Sequence, residues 1–577
     1  MTKTAFNGLC VSALIFGTCL TLRGAEGDSA PVPAPTPVTA KTHFITQPLL
    51  PDGRVDYVTA NERLGASSKE NPLENGMRLV IQAVGPCALE ERISVKNLGW
   101  DKWLSDPSTQ SFREKTWIPL CKKLNLDPEQ KPKWVDAPTL FDVADALEEK
   151  ITAQAESAKK EDEKNAATEE SDSFDIYNVL SKPFSDREYP EIARWLEENN
   201  ELIELFARAV AQPVFRPCNS LRTDGKYTPM WRSLSPNTSY SRYIALVFQT
   251  RSNYYVNKAA SDPAYMNKAL DYTISLFCLS KRLLELNSAV EQLFGIICAQ
   301  KAFEQTSILV RSGYMTDQQL ERLDKAIAEQ TPSDGTERML FSESLFAFDV
   351  LQELLRNRNN SAELSILSGM DEPSLGVIQL LRSNLSETDI RLKFRSFFDK
   401  EHAALHEKDP FIRREKAAQF RQEFSADSEK CVKAIAAKQG FSEQPSEEDF
   451  FQKIRECTDK ALLSEFVARL YYSMGINELE QLITAFQLTQ SEYVLCRIGV
   501  AVERYKLETG AYPPTLEELV PRYLDAVPVE PSTGKKTIVY RPEGATFILY
   551  AWGDNLKDDQ GKKRSNIPME NNFDIVF

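Results

Sequence analysis

The sequence predicts a mainly α protein: a multi-helix array followed by a small C-terminal α+β module with a short antiparallel sheet. Three observations carry this. Between Phe44 and Leu488, apolar residues recur at helical spacing and strand-like alternation is scarce. Helix-start and helix-stop residues punctuate those runs. From about Ser491 the pattern changes to one amphipathic helix, a Pro-rich turn and two segments that read as a β-hairpin.

Residues 1–25 read as a secretory signal peptide. Lys3 supplies the cation, Leu9 to Leu22 the apolar run, and Gly24 and Ala25 the small residues before Glu26. The run is shorter than the roughly 20 apolar residues that span a bilayer. Arg23 stands where a small residue is expected, so an uncleaved anchor is the alternative. Cys19 follows Thr18, a poor lipidation context. No second long apolar run appears, so the mature chain is expected to lack a transmembrane helix. It should reside in the periplasm or outside the cell, free or attached to the envelope. Residues 26–43 carry Pro31, Pro33, Pro35 and Pro37 and read as an extended linker.

The length of 577 residues argues for several domains. A net charge of -15 with no basic cluster argues against nucleic acid as a partner, since phosphates want a basic face. Eight cysteines lie beyond the signal: Cys87, Cys121, Cys218, Cys278, Cys298, Cys431, Cys457 and Cys496. None forms a CxxC pair. Buried free thiols are the favoured reading, with one or two disulfides open to an exported chain.

The body, residues 44–490, is read helix by helix. Pro190 opens a run with Ile192, Trp195, Leu196, Leu202, Phe206 and Ala209 on one face. Pro263 opens another, with Met266, Leu270, Ile274, Phe277 and Leu284. Ser288 and Glu291 have capping-box spacing, as do Thr316 and Gln319, and Gly313 ends the helix between them. Met339 to Leu355 and Leu462 to Leu488 also read as helical. Residues 155–175 are crowded with charge and nearly devoid of apolar residues, a solvated helix extension or a disordered insertion.

The module, residues 491–577, begins with a helical face of Val494, Leu495, Ile498, Ala501, Val502 and Tyr505, ended by Gly510. Thr515 and Glu518 have capping-box spacing before Leu516, Leu519 and Val520. Ile538 to Arg541 and Thr546 to Trp552 read as strands joined around Gly544, and Phe573 to Val576 as a final short strand.

These last 85 or so residues resemble the globular domain of the major pseudopilins of type II secretion. Tyr505, Gly510, Tyr512-Pro513, Leu516, Leu519, Tyr523, Pro528, Pro531, Gly534, Tyr540, Gly553-Asp554 and Asp574-Ile575 carry the resemblance. It implies a loop after the hairpin that binds calcium through acidic side chains and backbone carbonyls. Asp554, Asp558, Asp559 and Asp574 are the residues that would converge there. Calcium favours such oxygen sets, and Gly553 and Gly561 permit the turns. The other reading is a solvated turn neutralised by Lys557, Lys562, Lys563 and Arg564. Two departures matter. No polymerising apolar helix follows the signal, and Glu530-Pro531-Ser532 stands where the family has Asp-Pro and an aromatic. A recruited domain is therefore expected, not a filament subunit. The whole chain also resembles large exported helical bacterial proteins of unknown function. That rests on Asp56-Tyr57 with Asn61, Asn75 with Gly85-Pro86, and Pro190 with Trp195-Leu196 and Asn199.

Other chemistry is sparse. His402 and His406 are four apart, beside Glu401 and Glu407, a spacing that can hold zinc. No HExxH order accompanies them, and no nucleophile elbow or phosphate loop occurs. The tryptophans could line a groove but more often fill a core, and of the same two readings the Tyr254-Tyr255 pair near Arg251 favours a half-buried core edge. Together these readings predict an exported, non-enzymatic envelope scaffold or binding protein, for which another envelope protein is the natural partner, with a calcium-stabilised C-terminal module. The alternative is an exported hydrolase with a carboxylate or His-based metal site.

Overall fold

The structure, a computed structural model, describes residues 38–65, 74–89, 92–162, 175–215, 230, 238–356, 385–440, 454, 456–475, 479–535, 538–553, 555–562 and 574–577. The stretch read as a signal peptide, most of the Pro-rich stretch and residues 163–174 of the charged stretch lie outside them. The longer helices are α1 (Tyr57–Gly65), α2 (Gly76–Val84), α3 (Leu140–Asp162), α4 (Pro190–Glu198), α5 (Asn200–Val210), α6 (Thr238–Ala259) and α7 (Tyr265–Leu284). They continue with α8 (Ala289–Arg311), α9 (Asp317–Gln330), α10 (Thr336–Arg356), α11 (Glu387–Leu405), α12 (Pro410–Lys438), α13 (Lys460–Gly475) and α14 (Leu479–Thr509). A three-stranded antiparallel sheet closes the described chain, in the order β1 (Val539–Glu543), β2 (Thr546–Ala551), β3 (Ile575–Val576).

Local signals act where they were read. The Ser288 side chain accepts from Glu291 N while Glu291 reaches back, and Thr316 and Gln319 do the same for α9. Gly313, at φ +72°, separates the two helices, and Gly510, at φ +83°, follows α14. Two expectations are corrected. The run opened by Pro190 is two helices, because Asn199 leaves helical geometry and its Nδ2 donates to the Trp195 carbonyl at 2.9 Å. Thr515 makes no capping hydrogen bond, and Leu516–Leu519 is a single 3₁₀ turn. Pro521 follows at once, leaving no length for an α-helix.

Two large cores result. One runs from Met77 through the α4–α9 helices to Leu549, Ile575 and Phe577. The other gathers Val55 and Tyr57 with α10, α11, α12 and α13. Helix α14 belongs to both: Leu479 and Ile483 lie in the second core, and Tyr493 to Val502 in the first. Between them Phe486 packs on Leu284 and Ile296. One continuous helix thus crosses the line at residue 491, and its two ends are anchored in different cores. Each fully buried large apolar side chain contributes about 1.5–3 kcal/mol, so neither end is free to detach cheaply.

Candidate functional site

The acidic turn after β2 is built from the hairpin outward. Gly544, at φ +59°, allows the tight reversal between β1 and β2. Beyond β2, Leu556 and Gln560 adopt positive φ with Gly561, so the chain coils on itself. Leu556 tucks into the interior. Asn555 Oδ1 accepts from Lys557 N at 2.9 Å, and its Nδ2 donates to Asp559 Oδ2 at 2.8 Å. Asp558 Oδ1 accepts from Gln560 N at 2.8 Å and from the Tyr550 hydroxyl at 3.1 Å. Asp574, just before β3, accepts from Gly561 N at 2.7 Å and Asp559 N at 3.3 Å. Its own N–H donates to Lys562 O at 2.8 Å, which closes the turn against the final strand.

The structure therefore brings Asp558, Asp559 and Asp574 to one turn; Asp554 lies outside the described residues. Asp574 is only 2% exposed. Burial raises its pKa, the two backbone N–H groups oppose that rise, and the charges of Asp559 and Asp558 add to it. Asp558 Oδ2 and Asp559 Oδ1 accept no hydrogen bond among the described residues. Hard oxygen donors of this kind suit calcium. Still, among the described residues no three His, Cys, Asp or Glu side chains are grouped closely enough to hold a metal ion. In the geometry seen, the carboxylates organise the turn.

The histidine pair is spoken for. His402 Nε2 lies 3.4 Å from Ser344 Oγ, with its ring 4.2 Å from that of Phe398. Burial, then His406 and Arg395, lower its pKa to about 4. His406 Nδ1 meets Glu337 at 2.8 Å, Glu407 pairs with Lys416 at 2.7 Å, and Glu401 takes the Tyr472 hydroxyl at 2.5 Å. Four candidate ligands thus serve four separate partners.

Most aromatic candidates are core; Trp134 and Trp552 are half-buried, and Trp231 lies outside the described residues. Trp100, Trp103, Trp117 and Trp195 are buried, the first two stacked at 5.5 Å. Tyr254 and Tyr255 are 1% and 6% exposed, which makes them interior residues and not the half-buried edge their sequence suggested. Tyr254 donates to Glu197 at 2.9 Å, and Arg251 stands 4.7 Å over the Tyr255 ring. The seven described cysteines are unbridged; Cys218 lies outside the described residues.

Two residues that fix the module carry no motif. Glu530 is fully buried: its carboxylate accepts from Ser532 N and Thr533 N, both at 2.8 Å, and from the Ser491 hydroxyl of α14. Glu530 thus latches its loop to α14. Arg311, at the end of α8, donates to Thr546 Oγ1 at 2.9 Å, Phe547 O at 3.3 Å and Phe577 O at 2.8 Å. Both contacts are long-range, so only the three-dimensional arrangement reveals them. No helix among the described residues is long and apolar enough to cross a membrane. No protein-family model, no curated protein and no solved structure matches this chain.

Proposed function

We propose that this chain is an exported envelope protein that works as a non-enzymatic scaffold or binding protein, holding a pseudopilin-like C-terminal module in a fixed position on a helical body. The observation that supports it most is the double anchoring of α14, which ties the sheet and its turn to both cores. A module that merely followed a linker would need no Arg311 fork, Glu530 latch or shared helix. The ionisable side chains with sequence signals also serve packing and turn closure in this arrangement. In the same proposal calcium, bound by the acidic turn, would lower the repulsion among Asp558, Asp559 and Asp574 and stiffen the edge of the sheet.

The test is capture of the tagged full chain from its native envelope, with a measured partner stoichiometry. A discrete envelope protein at fixed ratio is the expected result. The hydrolase reading would instead require bound metal and turnover of an exported polymer or ester with no partner retained.

A further inference from the structure

A shallow, open depression of about 600 Å³ lies between the first described residues and α11, with Ala40 and Lys41 on one side and the helix on the other. Leu392, Ser396, Asp399 and Ala403 line the helical wall. Their spacings of four, three and four place them on one face. Eleven residues of α-helix rise about 16 Å, which matches about five residues of extended chain. Leu392 is 41% exposed at one end of this stripe.

The rim is cationic on an acidic protein. Lys41, Arg395 and Lys400 face the depression, against one carboxylate, Asp399. Arg395 is engaged, with Asp399 at 2.7 Å and with His43 O at 3.0 Å. Lys41 and Lys400 form no ion pair within 4.0 Å among the described residues. Asp427, which acts on Lys400 at longer range, is already bridged by Lys430 at 2.9 Å. Lys416, Lys393 and Lys433, by contrast, are matched by Glu407, Glu465 and Glu429.

We propose that this depression docks an extended acidic segment of a partner protein, with an apolar side chain against Leu392 and carboxylates on Lys41 and Lys400. The charge complement and the length of the stripe select that occupant. A bilayer surface is one of the outcomes that the test separates from it. The inference rests on the binding-protein reading above and names the partner chemistry for one surface of it.

The experiment uses the full chain and a fluorescein-labelled Asp-Glu-Leu-Glu-Asp peptide at low ionic strength, read by anisotropy. Saturable binding is expected. It should weaken by roughly tenfold or more in K41E/K400E, as two exposed ion pairs become repulsions, with the melting temperature unchanged. Replacing the peptide's Leu by Ser should also weaken it. The proposal falls if no saturation is seen, if K41E/K400E binds equally, or if a Lys-Lys-Leu-Lys-Lys peptide or anionic phospholipid vesicles bind as well. An envelope partner that K41E/K400E still retains would remove this site and leave the binding-protein reading standing.

Discussion

Arg311 holds Phe577: its Nη2 donates to the Phe577 backbone oxygen at 2.8 Å, and its guanidinium stands 5.9 Å from the Phe577 ring. The same group covers the Phe547 ring at 4.7 Å. One side chain from the helical body thereby satisfies β2 and the residue after β3 together. Arg311→Ala should cost about 2–4 kcal/mol, through lost charge-assisted hydrogen bonds and the oxygens left behind. Arg311→Lys should recover only part, because an ammonium cannot reproduce the planar fork. Urea unfolding of the three proteins side by side gives both numbers.

Gly499 sits where α14 meets the Phe577 ring, and a Cβ there would overlap ring atoms. Gly499→Ala should therefore destabilise by about 1–3 kcal/mol, although alanine favours helix more than glycine does. In Gly499→Ala/Phe577→Ala the clash disappears, so the double variant should lose less than the sum of the singles. Additive losses would mean that the ring does not press on the helix.

Glu401 favours the folded state at low pH and loses that contribution as pH approaches neutrality. It is buried against α13, and burial pushes its pKa up to about 7 from 4.5, with the Tyr472 hydroxyl and Arg421 opposing. The folded state therefore binds more protons than the unfolded state between those values. The Glu401 contribution to stability falls as pH rises from about 4.5 to about 7, by on the order of 3 kcal/mol. Glu343, pushed up to about 7 by burial, acts with the same sign. Glu401→Gln keeps an oxygen for Tyr472 and removes the charge. Its stability relative to wild type should grow across that window and stay level above it.

Histidines govern the acid side. Burial lowers His402 and His43 to about 4 from 6.5. Here the unfolded chain binds the extra protons, so the histidine contribution falls as pH drops from about 6.5 towards 4, opposing that of Glu401 and Glu343. Thermal melts of His402→Gln should show a flatter acid limb than wild type. An unchanged limb would place the acid sensitivity elsewhere.

The acidic turn predicts a calcium response of the full chain. Calorimetric titration with calcium should give saturable heat and a raised melting temperature. Asp574→Asn, which keeps one acceptor oxygen for the turn, should abolish both. Absence of heat and of a melting shift in wild type would remove calcium from the proposed function.

The sequence was most readable where the physics is local. Ser288–Glu291 and Thr316–Gln319 cap because donor and acceptor lie three residues apart and a long helix follows. Thr515–Glu518 has the same spacing and fails, because Pro521 cuts the helix short. The hairpin showed in its alternation and Gly544. The resemblance placed Asp558, Asp559 and Asp574 in one loop; their hydrogen bonds with Gln560, Gly561 and Tyr550 were not legible. The roles of Arg311 and Glu530 were illegible for a different reason. Their partners are 235 to 266 and 39 residues away, and no spacing rule reaches that far.

The central claim is that α14 joins the C-terminal sheet to the helical body in one cooperative unit. Native-state hydrogen exchange measures this directly, by comparing Val500 and Val502 in α14 with Phe547, Leu549 and Ala551 in β2. One shared opening free energy is expected for both groups, lowered equally in both by Arg311→Ala. A lower free energy confined to β2, with α14 unmoved by Arg311→Ala, would contradict it.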